Sequence, residues 1–148
     1  MKIKLQVHEN KYESLAQELR ALGIELDDDA DLVLSEKDDF PDYLMVKDKD
    51  GLCRLPTDDI IFIESFSHDI IVHATTGDYR CSERLRGLEG TLDPDRFLRV
   101  SNSMIIAIDR VRRIRPTLFC KYILTMDGGA EVHVTRSYYF IFKEKFRI

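Results

Sequence analysis

Six arginines, Arg96, Arg99, Arg110, Arg112, Arg113 and Arg115, gather around the polar triplet Ser101-Asn102-Ser103, although the chain carries a formal charge of −5. A guanidinium can fork onto phosphate oxygens or onto guanine O6 and N7. The Asn102 amide offers the donor and acceptor that match adenine N7 and N6. His68, in ESFSHDII, stands at a turn between two apolar runs, where it can reach N7 or a phosphate. Arg136, in HVTRSYY, follows another such run. Each of these has a plainer reading on its own: Asn102 as a turn residue, His68 as a loop tip, Arg136 as a surface ion-pair partner.

Catalytic chemistry finds less support. His68 and His73 are five positions apart, an odd offset that sends them to opposite faces of a strand and well apart on a helix. The acidic clusters Asp27-Asp28-Asp29 and Asp58-Asp59 read as solvated loops rather than cation ligands. Glycine-rich phosphate loops and Gly-x-Ser-x-Gly elbows are absent. Cys53, Cys81 and Cys120 form no Cys-x-x-Cys pair, and an odd count argues against a disulfide framework, so reduced cytosolic thiols are expected. The expectation is a protein that is not an enzyme and holds no metal, cofactor or small-molecule substrate.

Charge is distributed unevenly. Residues 1–50 carry 7 basic and 14 acidic side chains, residues 51–100 carry 6 and 9, and residues 101–148 carry 9 and 4. An acidic front and a basic back suit a polyanion-binding face. No apolar run has the length of a membrane span, and MKIKLQVHEN lacks the apolar core of a signal peptide, which predicts a cytoplasmic protein.

Local pattern divides the chain near Pro41. Before it, MKIKLQV alternates as a half-buried strand, and Leu15, Leu19 and Leu22 recur at helical spacing up to Gly23. DLVLSE suggests a second strand, so residues 1–41 read as a small β-α-β appendage. Residues 42–148 are mostly β, with short apolar runs separated by turn signals such as Asp50-Gly51, Gly77 and Asp127-Gly128-Gly129. Ser82 is placed to cap a short helix whose Leu85, Leu88 and Leu92 share a face. RSYYFIFKEKF reads as a terminal amphipathic helix, with a strand over Tyr138–Phe142 as the alternative.

The order of these pieces is informative. DDIIFIES, HDIIVHATTGDYRC, LRGLEGTLDPDRFLRVSNSMIIAIDRVRRIRP and YILTMDGGAEVHVTRSYY together closely resemble the LytTR family of bacterial DNA-binding domains, from about Asp42 to the C-terminus. The resemblance implies an elongated fold of several small β-sheets whose loops, rather than a recognition helix, enter successive major grooves. It implies base contacts by His68, Asn102 and Arg136, with Arg99, Ser101, Arg113 and Arg115 as phosphate or groove-edge neighbours. Where many members have His followed by Arg or Asn in the central motif, this chain has Ser101-Asn102. Too few residues precede the domain for a phosphorylatable receiver, so the chain resembles the stand-alone members of the family. Implied partners are double-stranded DNA with direct-repeat promoter sites, a second copy on DNA, and a membrane-protein inhibitor. For residues 1–41 the sequence leaves open dimerisation, partner binding and capping of a sheet edge. A protein-interaction module with weak DNA binding is the rival reading for the chain.

Overall fold

The computed structural model describes residues 1–36 and 40–148. It divides into two units, Met1–Phe40 and Pro41–Ile148.

In the first unit, β1 (Lys2–Gln6) lies between β2 (Glu25–Leu26) and β3 (Leu32–Ser35), parallel to both. Helix α1 (Glu9–Ala21) makes the crossover. Ile3, Leu5 and Ala16 form the small core, as the period-2 strand pattern requires. The helix ends one residue short of the expected apolar face. Leu22 is its C-cap and is 76% exposed, while Gly23 takes the left-handed φ of 80° that closes the helix. Leu32 and Leu34 are in register with Ile3 and Leu5, yet both, with Val33, remain exposed.

The second unit begins with the hairpin β4 (Tyr43–Asp48) and β5 (Gly51–Pro56), turning before Gly51. Strands β6 (Ile60–Phe66), β7 (Asp69–Ala74) and β8 (Gly77–Cys81) follow as an antiparallel meander. After α2 (Leu85–Thr91) come β9 (Phe97–Ser101) and β10 (Met104–Ala107). These seven strands form one sheet in the order β5-β4-β8-β7-β6-β10-β9. A separate antiparallel sheet holds β11 (Val111–Thr117), β12 (Lys121–Met126) and β13 (Glu131–Val134). A 3-10 turn at Arg136–Tyr138 then leads into α3 (Tyr139–Phe146), so the last segment is helical rather than extended. Small sheets and short helices make the mostly β architecture expected from the sequence.

Two hydrophobic cores lie on the two faces of the large sheet. Ile63, Val72, Ile105 and Ala107 pack beneath Leu85 and Leu88 of α2 and its C-cap Leu92. Ile61, Phe62, Val100 and Ile106 pack against Leu124, Met126 and Val132 of the small sheet and Phe142 of α3. Strands β6 and β10 are therefore buried on both sides, which is why they read as continuous apolar runs, IIFI and MIIA, rather than as alternations. Each fully buried leucine of α2 contributes on the order of 1.5–3 kcal/mol. Ser82 does not cap that helix. The chain bends at Ser82 and Glu83, and Arg84 takes the N-cap position without a side-chain cap, so Ser82 stands two residues too early.

His73 has a structural task. Its Nε2 lies 2.6 Å from Glu64 Oε1 and its Nδ1 lies 2.8 Å from Asp78 Oδ1, tying β6, β7 and β8 together. Its ring stacks on Phe62 with centroids 4.3 Å apart. Among the described residues, no helix is long and apolar enough to cross a membrane.

Candidate nucleic-acid interface

Strand direction brings the segments of interest to one end of the large sheet. Strand β6 ends where β7 begins, β9 ends where β10 begins, and β8 ends beside the start of β7. The β6–β7 and β9–β10 turns are joined by a backbone bond from Ser65 N–H to Ser103 O at 2.8 Å. The last strand reaches the same end, because Thr135 N–H donates to Val100 O at 3.0 Å.

His68 is the second residue of the two-residue β6–β7 turn. Ser67 and His68 have φ of 49° and 74°, the left-handed pair that a tight hairpin turn requires. Such a conformation is uncommon outside glycine, and it holds the imidazole out into solvent. Backbone strain of this kind tends to collect at functional sites.

Asn102 opens the β9–β10 turn, and its surroundings fix it from several sides. Arg99 donates from Nη2 to Asn102 O at 2.7 Å, from Nε to Ser101 O at 3.1 Å, and from Nη1 to Glu89 Oε2 at 3.0 Å. Ser101 is buried, and its Oγ accepts the Ser103 N–H at 3.2 Å. Tyr138 donates its hydroxyl to Asn102 Oδ1 at 3.3 Å. The amide is therefore exposed but oriented, with Nδ2 and one lone pair of Oδ1 still open to a partner. Tyr138 belongs to the 3-10 turn that begins with Arg136, so the same contact ties the Arg136 turn to the Asn102 turn. Arg136 is exposed and makes no side-chain hydrogen bond or ion pair among the described residues.

Thus the structure brings His68, Asn102 and Arg136 to one end of one unit. Arg99 and Ser101 are also there, but their polar groups face inward and hold the turn. Arg113 and Arg115 lie elsewhere. They project from the outer face of the small sheet, opposite Ile114, and Arg115 is 4.0 Å from Glu131. The arginine cluster seen in the sequence is otherwise largely neutralised. Arg96 pairs with Asp58, and Arg110 and Arg112 both pair with Asp127. Sequence reasoning missed Tyr138, whose role depends on a contact across 36 positions.

A groove of about 520 Å³ opens beside the two turns, lined by His68 and Asn102 on one side and by the β8–α2 segment on the other. Burial pushes the Cys81 thiol in its wall up from its ordinary value, so it meets the groove as a neutral group at neutral pH.

Residues 50–147 match the family model described as the LytTr DNA-binding domain. The chain belongs to the LytTR family. The fold agrees with that assignment. A solved LytTr DNA-binding domain from Bacillus cereus, part of a protein described as a methyl-accepting/DNA response regulator, superposes with a TM-score of 0.70. The two are 24% identical, and the match covers 73% of this chain and 99% of that one. The CO-responsive transcriptional regulator RcoM of Rhodospirillum rubrum is 41% identical over 71 residues. That match covers 48% of this LytTR chain but only 30% of RcoM.

Arg99 can be separated from the exposed residues by experiment. Arg99→Lys keeps a positive charge but cannot fork onto two carbonyls and a carboxylate together. It is expected to weaken binding to a specific duplex by about 1 kcal/mol, the worth of an ordinary hydrogen bond, through a loosened turn. The salt dependence of binding should not change. Arg99→Gln, which removes the charge, should also leave the salt slope unchanged, and a slope lowered by about one unit would instead make Arg99 a phosphate contact.

Proposed function

We propose that this chain is a sequence-specific DNA-binding regulator of transcription, acting in the cytoplasm, that reads successive major grooves with His68, Asn102 and Arg136. The observation that carries this reading is the convergence of those three side chains, all exposed, on one end of a LytTR domain. Two of them sit on adjacent two-residue turns and the third on a 3-10 turn tied to Asn102 by Tyr138. An arginine or asparagine held in this way can make bidentate contacts with a base edge, each worth about 1–3 kcal/mol of discrimination. Loops take the place of a recognition helix, since all three side chains stand on turns and α3 starts only after Arg136.

Affinity comes from neutralised phosphates and specificity from base edges. Arg113 is exposed, without an ion-pair partner among the described residues, and Arg115 is only loosely paired, so both suit phosphate contacts more than Arg99 and Ser101 do. Direct repeats bound by two copies and restraint by a membrane-protein inhibitor belong to the same reading.

The test is fluorescence anisotropy on the DNA upstream of the chain's own gene, across a salt series, with random duplex as control. A specificity ratio of about a thousand or more and a steep salt slope are expected. Binding equal to random duplex, repeated after selection from a randomised duplex pool, would sink the reading in favour of a protein-interaction module.

A further inference from the structure

The groove beside the reading turns has a second wall whose charge the three base-reading residues do not use. Arg80, at the end of β8, and Arg84 and Arg86, at the start of α2, line it opposite His68 and Asn102. All three are exposed. Arg84 and Arg86 make no ion pair among the described residues, and Arg80 has only Asp69 Oδ2 at 3.8 Å. Asp69 and Glu83 are the acidic residues in the lining, so cations outnumber anions there even when Arg99 is set against Glu89. Most other arginines of the second unit that reach a carboxylate do so at about 3 Å. The trio thus differs from Arg96, Arg99, Arg110 and Arg112, and a cationic wall left open beside exposed hydrogen-bonding turns is a surface for a polyanion.

We propose that this wall is a phosphate-binding strip that widens the DNA footprint around the His68 and Asn102 turns and, through Arg80, carries it past His68. The inference rests on the DNA-reading function proposed above and adds its outer boundary. The order of elements along this end supports it. Strand β8 lies beside β7, then come β6, β10 and β9, and β9 meets the Thr135 end of β13. Arg80 at the β8 end of the wall, the His68 turn, the Asn102 turn and the Arg136 turn therefore follow one another in a row, with Arg84 and Arg86 across the groove from His68 and Asn102. A duplex lying along that row passes Arg80 before it reaches His68 and has Arg84 and Arg86 at its flank. The trio would contact sugar–phosphate backbone alone, holding the duplex in register without reading sequence.

The test compares the full chain with the triple variant Arg80→Ala, Arg84→Ala, Arg86→Ala in anisotropy titrations between 50 and 200 mM salt on cognate and random duplexes. Each phosphate contact contributes about 0.9 to the salt slope, so losing three should reduce the wild-type fall in affinity over that range by about 40-fold. Cognate and random duplexes should lose affinity alike. The triple Arg→Lys variant keeps the charges and should restore the slope, which a purely structural role for the arginines would not allow. Removing base pairs from the His68 end of the cognate duplex should weaken the wild type and leave the alanine variant little changed. An unchanged slope in the alanine variant, with the wild type still specific, would overturn the strip and leave base reading intact. A wild type that shows neither specificity nor a salt slope would overturn both.

Discussion

Phe142→Ala is expected to cost the second unit about 3–5 kcal/mol, the usual loss when a buried phenylalanine is truncated and the surroundings cannot close the gap. Phe142 is fully buried in α3, with ring centroids 4.4 Å from Phe146 and 5.2 Å from Tyr122. It joins a core that spans both sheets, from Ile106 of β10 to Leu124 of β12, so few neighbours can move into the space. Domains of this size are stable by only about 5–15 kcal/mol, so the change takes a large share of the margin. Urea unfolding should show a lower midpoint with little change in slope. There is also a functional consequence. Arg136–Tyr138 runs directly into α3, and α3 reaches the core through Phe142. A loosened helix frees the turn that positions both Arg136 and the Asn102 amide, so specific binding should fall even under conditions where the variant remains folded. A loss below about 1 kcal/mol would mean that α3 does not anchor this end of the unit.

Much of the fold is legible in local pattern because its causes are local. Strands announce themselves by alternation or by apolar runs, and turns by Asp50-Gly51, Gly77 and the Gly128-Gly129 pair. Leu85, Leu88 and Leu92 share a face because helical spacing dictates it, and all three are buried. The failures arise where the deciding partner is distant or the backbone departs from the simplest path. Leu22 has the right spacing for the α1 face, but the helix closes at Ala21 and leaves it in solvent. Ser82 has the right chemistry for a cap, but the helix begins later. The arginine cluster is the clearest case. Composition shows six guanidinium groups near Asn102, whereas their electrostatic state is set by carboxylates that folding brings in. Arg96 meets Asp58 across 38 positions, Arg110 meets Asp127 across 17, and Arg99 meets Glu89 across ten. A linear charge count cannot register those pairings, and it overlooked Arg84 and Arg86, which make no ion pair among the described residues, because they are not adjacent to the asparagine in sequence. The resemblance to a family carried His68, Asn102 and Arg136, and tertiary structure supplied what the motif does not contain, the tyrosine that orients the amide.

The double variant Asn102→Ala, Arg136→Ala should lose about 2–6 kcal/mol on the cognate duplex, the sum of two base-edge contacts of about 1–3 kcal/mol each. On random duplex, Asn102→Ala should change little, because no phosphate contact is removed. Arg136→Ala should lose little there beyond the contribution of one charge. The contrast between the two duplexes carries the argument, since truncation that merely disturbs the fold would weaken both. Tyr138 makes the prediction sharper. Tyr138→Phe removes the hydroxyl that donates to Asn102 Oδ1 while keeping the ring, so it should cost about 0.5–1.5 kcal/mol on cognate DNA. In the Asn102→Ala background the same substitution should cost almost nothing, because the amide it orients is gone. Additive losses would mean that Tyr138 contacts DNA by itself. Equal losses on cognate and random duplexes for Asn102→Ala would take the amide out of the base-reading set. In that event the Asn102 turn would serve only to join the His68 and Arg136 segments, and specificity would have to come from those two side chains or from the shape of the DNA.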